Sequence, residues 1–132
     1  MALAVTNGIL IEVESQYVPD RSNPDHSEFF FAYTVRISNT SAATVQLMSR
    51  HWVIRDATGH VEEVRGAGVI GKQPVLGPGQ TFQYTSACPL NTPHGTMQGT
   101  YQMVTQDGAG FDARIPQFEL AIPEASRTRL LN

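Results

Sequence analysis

Cysteine is almost absent from this chain: Cys88 stands alone. A single thiol excludes an internal disulfide and a cysteine-based zinc site. It suits a reducing compartment, and the expectation is a cytoplasmic protein. Lysine is also nearly missing. Lys72 is the one lysine, and eight scattered arginines complete the nine basic residues against twelve acidic ones. A net charge of −3 without a basic cluster excludes a nucleic-acid footprint. No window approaches the ~20 apolar residues of a spanning helix. Met1–Val5 lacks the basic residues and apolar stretch of a signal peptide. Charged residues make up 16%, against an average of about 25% in soluble domains. The surface is therefore expected to be neutral and polar. Helical periodicity is missing as well.

What the chain does have is alternation with a period of two. Ile9, Ile11 and Val13 oppose Glu12 and Glu14. Phe29, Phe31, Tyr33, Val35 and Ile37 oppose Ala32, Thr34, Arg36 and Ser38. Thr44–Arg55 is apolar on both faces, with Val45, Leu47 and Val53 against Met48, Trp52 and Ile54, which predicts a central strand. His60–Val64, Thr81–Ala87 and Met97–Thr105 follow. In the last segment Phe111, Ala113 and Ile115 change phase to Phe118, Leu120 and Ile122. Pro116 lies at the switch, so a bulge is expected there, bending the strand so that it can serve both sheets. Asn39-Thr40-Ser41, Asp56–Gly59 and Asp107–Gly110 carry the residues of short hairpin turns. About seven short antiparallel strands at this spacing predict an all-β sandwich of immunoglobulin or fibronectin type III kind. One domain is expected over residues 1–125, with a disordered tail at 126–132.

Gly66-Ala67-Gly68-Val69-Ile70-Gly71-Lys72 is the one phosphate-like motif. It fits G-x-G-x-x-G and also G-x-x-x-x-G-K. Both patterns aim backbone N–H groups and a helix N-terminus at phosphate. Here Gln73 replaces the metal-holding Ser or Thr, and Pro74 and Pro78 oppose a helix. No Asp or Glu occurs from Val64 through Gln106, so the acid of a dinucleotide site is missing. Three readings follow. The glycines shape a long connection. Gly66, Gly68, Gly71 and Lys72 hold a weak phosphate or nucleotide in a backbone nest. Val69, Ile70 and Val75 present an apolar patch to a protein.

Other chemistry is sparse. Asp20, Asp25, His26 and Glu28 fall within nine residues and supply hard-cation ligand types, although a solvated polar loop is the favoured reading, since acidic loops without metal are common. No G-x-S-x-G elbow accompanies the histidines. His51 reads as a core or sheet-surface residue and Cys88 as a buried thiol. Glu62 and Glu63 are adjacent on a strand and point to opposite faces, so they form no catalytic pair.

Six blocks carry a family resemblance. They are Arg50–Asp56, Val64–Pro74, Leu76–Gly79, Phe82–Ser86, Gly95–Tyr101 and Ile115–Phe118. Together, across roughly Thr6 to Ile122, the chain resembles the ApaG family. The resemblance implies a fibronectin type III-like sandwich. It implies an association with cobalt resistance and magnesium efflux. It also points to an operon containing a dinucleoside-tetraphosphate hydrolase and to related domains that serve as interaction modules in eukaryotic proteins, an F-box protein among them. Nucleotide binding has been suggested for the family's glycine motif, which maps here onto Gly66, Gly68 and Gly71. The expectation is a non-enzymatic accessory module with an unidentified protein partner and no cofactor. A phosphate-responsive protein is the alternative. An exposed edge strand could also pair two copies.

Overall fold

The computed structural model describes residues 1–123, and the expected tail at 126–132 lies outside them. Among these residues nine strands form: β1 (Ala2–Thr6), β2 (Ile9–Tyr17), β3 (Phe29–Asn39), β4 (Val45–Asp56), β5 (Val61–Ala67), β6 (Val75–Leu76), β7 (Thr81–Leu90), β8 (His94–Thr105) and β9 (Gly110–Ala121). They build a sandwich of two antiparallel sheets, as the alternation predicts. One sheet runs β1-β2-β3-β7; the other runs β5-β4-β8-β9, with β6 also paired to β4. The expected seven strands are joined by β1 and the two-residue β6. Among the described residues no helix is long and apolar enough to cross a membrane.

The inward parities form one core. Ile9, Ile11, Val13 and the alternate residues Phe29 to Ile37 meet Met97, Tyr101, Met103, Ala113, Ile115 and Leu120. Trp52 lies at its centre. Its ring stands edge-on to Tyr33 at 5.3 Å and to Phe118 at 5.9 Å. Such pairs add stabilisation beyond burial itself, about 0.5–1.5 kcal/mol each.

Three expectations are corrected. β4 is central, but it is not apolar on two faces at once. A bulge at Met48 lets Leu47 pair with Met103 while Ser49 pairs with Gln102. The inward parity shifts there from odd residues (Val45, Leu47) to even ones (Trp52), and Met48 is left exposed. The turn at Asn39-Thr40-Ser41 is not a hairpin, because β3 and β4 belong to different sheets. Asp56–Gly59 and Asp107–Gly110 do close hairpins, β4 to β5 and β8 to β9. The phase change at Pro116 is a bulge, with Met97 opposite Phe118 and Gly99 opposite Ile115. The bent strand nevertheless ladders only with β8.

Asn39 marks the crossing between sheets. Apart from the core tyrosines, it is the one buried polar side chain among the described residues. Its Nδ2 donates to Ala43 O at 2.7 Å and Leu76 O at 2.9 Å. Its Oδ1 accepts from Ser41 N and Ser41 Oγ. All four hydrogen-bonding positions of the amide are filled.

The two flanks of the sandwich differ. On one, β9 lies against β1 and β2. Ser15 Oγ donates to Glu119 O at 2.6 Å, and Arg114 N–H donates to Thr6 Oγ1 at 3.1 Å. On the other, β5 and β7 are the sheet edges, and among the described residues no hydrogen bond joins them.

Candidate functional site

The glycine segment is built on the bulge in β4. Gly66 and Ala67 still belong to β5, opposite Arg50 and Ser49. Val69 and Lys72 then pair across a two-residue turn, with Val69 N–H to Lys72 O at 2.8 Å and Lys72 N–H to Val69 O at 2.9 Å. The central residues Ile70 and Gly71 have φ of 44° and 76°. Positive φ at both positions is the hallmark of the type I′ hairpin turn. No helix leaves Gly71; the chain runs instead into β6.

Several contacts hold this turn to β4. The carbonyl of the bulged Met48 accepts both Gly68 N–H at 2.9 Å and Gln73 Nε2 at 2.8 Å. Leu47 N–H donates to Pro74 O at 3.0 Å. Arg50 Nη1 donates to Ala67 O at 3.0 Å and to Gly68 O at 2.9 Å. Val69 is buried in the core. The glycines have separate duties. A Cβ on Gly68, where φ is +62°, would overlap the Lys72 carbonyl. A Cβ on Gly66 would meet the Arg50 guanidinium at 2.9 Å, so that group lies against the bare glycine backbone. At Gly71 only the φ matters.

Gly68, Val69 and Lys72 therefore spend their amides within the protein. What the segment presents outward is apolar. Of the three residues expected to form a patch, Val69 is inside, whereas Ile70 and Val75 are 54% and 58% exposed. A β-branched side chain at positive φ is a true outlier and costs on the order of 1–3 kcal/mol. Ile70 bears that strain without burial to offset it.

Arg50 links the turn to a buried hydroxyl pair. Gly66, Arg50, Tyr101 and Ala113 are register partners across the second sheet. Tyr101 Oη and Tyr84 Oη are 2.5 Å apart, joining the sheets through the core. Burial pushes both hydroxyls above the ordinary tyrosine range, and the Arg50 charge opposes this weakly. Among the described residues no carboxylate pairs with Arg50. Sequence reading missed Arg50 and Gln73. The available signal was an arginine in a strand otherwise rich in apolar residues, opposite a glycine.

The first polar loop forms two 3-10 turns. Asp20 lies in Pro19–Arg21, Asp25 and His26 lie in Pro24–His26, and Glu28 bridges back to Asn23. All four are exposed. Among the described residues no group of three or more His, Cys, Asp or Glu gathers to hold a metal. His51 is a sheet-surface residue, and its Nε2 lies 2.8 Å from Glu63 Oε1. That hydrogen bond, with the His51 and Arg65 charges, holds the Glu63 carboxyl below its usual range. Glu62 projects from the opposite face. Cys88 is buried, and burial, aided by the Glu62 charge, pushes its thiol up to about 11. Such a thiol is inert at neutral pH. A cleft of ≈500 Å³ lined by Met1, Val13, Glu14, Phe118 and Glu119 lies on the other flank, away from the glycine segment.

The comparisons with known proteins decide the family. The ApaG domain model matches residues 19–105. The chain belongs to the ApaG family. It is 57% identical over 127 residues to "Protein ApaG" of Methylobacterium sp. strain 4-46, covering 96% of this chain and 98% of that protein. With "Protein ApaG" of Brucella abortus strain S19 it shares 53% over 128 residues, covering 97% and 98%. A crystal structure of the ApaA protein from Bordetella pertussis superposes with a TM-score of 0.86 at 51% identity, covering 88% of this chain and 94% of that one. The C-terminal domain of wzt, at 10% identity and a TM-score of 0.54, covering 93% of this chain and 78% of that one, shares the fold alone.

Proposed function

We propose that this ApaG-family chain is a non-catalytic binding module that offers the Ile70 turn to a protein partner. The partnership serves the Co²⁺ and Mg²⁺ homeostasis with which the resemblance associates the family. Residues 1–125 act as one cytoplasmic domain in this reading, for which the lone reduced thiol is suitable. One observation carries it. An exposed isoleucine occupies a strained turn position where Asn or Gly would be relaxed, and that turn is pinned to β4 on three sides. Strain persists where the surroundings impose it, and it gathers at functional sites. The spent amides of Gly68, Val69 and Lys72 weigh against a phosphate cradle.

Ile70→Asn tests the proposal, because Asn tolerates positive φ. The variant should fold and unfold about 1 kcal/mol less readily. It should fail to restore cobalt tolerance to a strain lacking the protein, whereas the wild type restores it. Pyrophosphate and ATP titrations should leave the amide NMR signals of residues 66–72 in place. Full complementation by the variant, or ligand shifts confined to those amides, would refute the reading.

A further inference from the structure

β5 gains little from its own monomer. Every residue from Val61 to Ala67 except Gly66 is exposed, including Val61 at 40% and Val64 at 38%. A strand exposed on both faces at a sheet edge presents a row of unpaired backbone groups.

The direction of those groups follows from the ladder. Asp56 N–H donates to His60 O, and Gly68 N–H donates to Met48 O. Bonding alternates along an antiparallel pair. Residues 60, 62, 64, 66 and 68 therefore turn their N–H and C=O toward β4. Val61, Glu63, Arg65 and Ala67 turn theirs outward, and no proline interrupts them. The Ala67 carbonyl also accepts from Arg50 Nη1 at 3.0 Å, which leaves its second lone pair for the edge.

We propose that β5 is a dimerisation edge, pairing antiparallel with β5 of a second copy about a two-fold axis at Val64. This register sets Val61 opposite Ala67 of the second copy and Glu63 opposite Arg65 of the second copy. All four outward-bonding residues then meet outward-bonding partners. Val64 meets its own copy as a non-hydrogen-bonded pair, where side chains approach closest. The two second sheets join into one continuous sheet across an isologous interface.

Charge selects this register. On the outer face Glu63 and Arg65 meet their opposites twice, once on each side of the axis. Shifting the axis to Glu63 or to Arg65 sets like charges directly opposite, which is destabilising. The inner face agrees independently. Glu62 comes opposite Gly66 of the second copy, and the Arg50 guanidinium lies against Gly66. The same register thus brings a carboxylate to the arginine that has no acidic partner among the described residues. Edge charges ordinarily deter pairing; here their order is self-complementary. The proposal does not depend on the Ile70 turn, which lies beyond the paired residues.

Sedimentation equilibrium of the full chain tests it. The wild type should show a monomer–dimer equilibrium that weakens with salt. Arg65→Glu and Glu63→Arg, both at exposed positions, should each weaken it at least tenfold. An equimolar mixture of the two variants should restore association as a heterodimer, since each then supplies what the other lacks. Circular dichroism checks that both remain folded. A wild type that stays monomeric up to about 1 mM overturns the proposal. So do single reversals that leave association unchanged, or a mixture that stays monomeric.

Discussion

The two flanks of this sandwich solve the edge problem in different ways. The β1/β9 flank is bridged by hydrogen bonds beside its cleft. Ser15 and Thr6 reach across with side-chain oxygens and meet backbone groups of β9. The β5/β7 flank does not close. The turns beyond the two strands touch, where Ala57 N–H donates to Thr92 Oγ1 at 3.1 Å; the glycine turn is held within its own sheet, to β4, through Arg50 and the Met48 carbonyl. Short hydroxyl side chains at the right register suffice to bridge the two sheets. Where they are missing, the chain keeps its edge ordered from behind and leaves the front free for another molecule.

Four measurements can break or sharpen that contrast. The largest effect belongs to Gly68→Val. The side chain would collide with the Lys72 carbonyl at a φ it resists, and urea unfolding should register a loss of about 3–4 kcal/mol. Arg50→Met should cost about 2–3 kcal/mol, the value of hydrogen bonds from a charged donor. Its signature is faster amide hydrogen exchange in residues 66–72, with β9 unaffected. Ser15→Ala acts on the bridged side. It should cost about 1 kcal/mol and speed exchange near Glu119 while leaving the glycine turn alone. Equal effects of the last two variants on both flanks would dissolve the distinction between them.

The smallest effect is a titration at the gap. Cys88 belongs to β7, and its thiol is raised to about 11, first by burial and then by the Glu62 charge. A folded value above the unfolded one means that the native state holds the proton longer. The associated stability is complete below the unfolded thiol range near 8.5 and is lost as pH rises toward the folded value. Subtracting the pH–stability curve of Cys88→Ala from that of the wild type should leave a difference that is flat to pH ~8 and falls above it. Iodoacetamide should label native Cys88 about 100-fold more slowly at pH 8 than it labels the unfolded chain.

Much of the framework was legible because it depends on side-chain parity. Alternation in Ile9–Val13 and Phe29–Ile37 is burial written directly into sequence. The Pro116 bulge was visible because proline cannot donate in a ladder. The Met48 bulge left no such mark. A parity shift within an apolar stretch looks the same as a strand buried on both faces. β1 escaped notice for a related reason. Ala2-Leu3-Ala4-Val5 carries no polar alternation, since Leu3 and Val5 remain exposed. The turn at Ile70-Gly71 was hidden because isoleucine is among the last residues expected at positive φ. The candidate site was thus legible as a location, Gly66–Lys72, and illegible as geometry. Arg50 acts on it from sixteen residues upstream, through a cross-strand register that only folding creates.

Asn39 has one more implication. Its amide touches the stretch by which the chain leaves the first sheet, through Ser41 and Ala43, and the strand from which it returns, through Leu76. Departure and homecoming are knotted at a single buried side chain. Neither half of the sandwich can let go without stranding the polar atoms of the other crossing, so the molecule should melt as one unit, and a probe in either half should report the same transition.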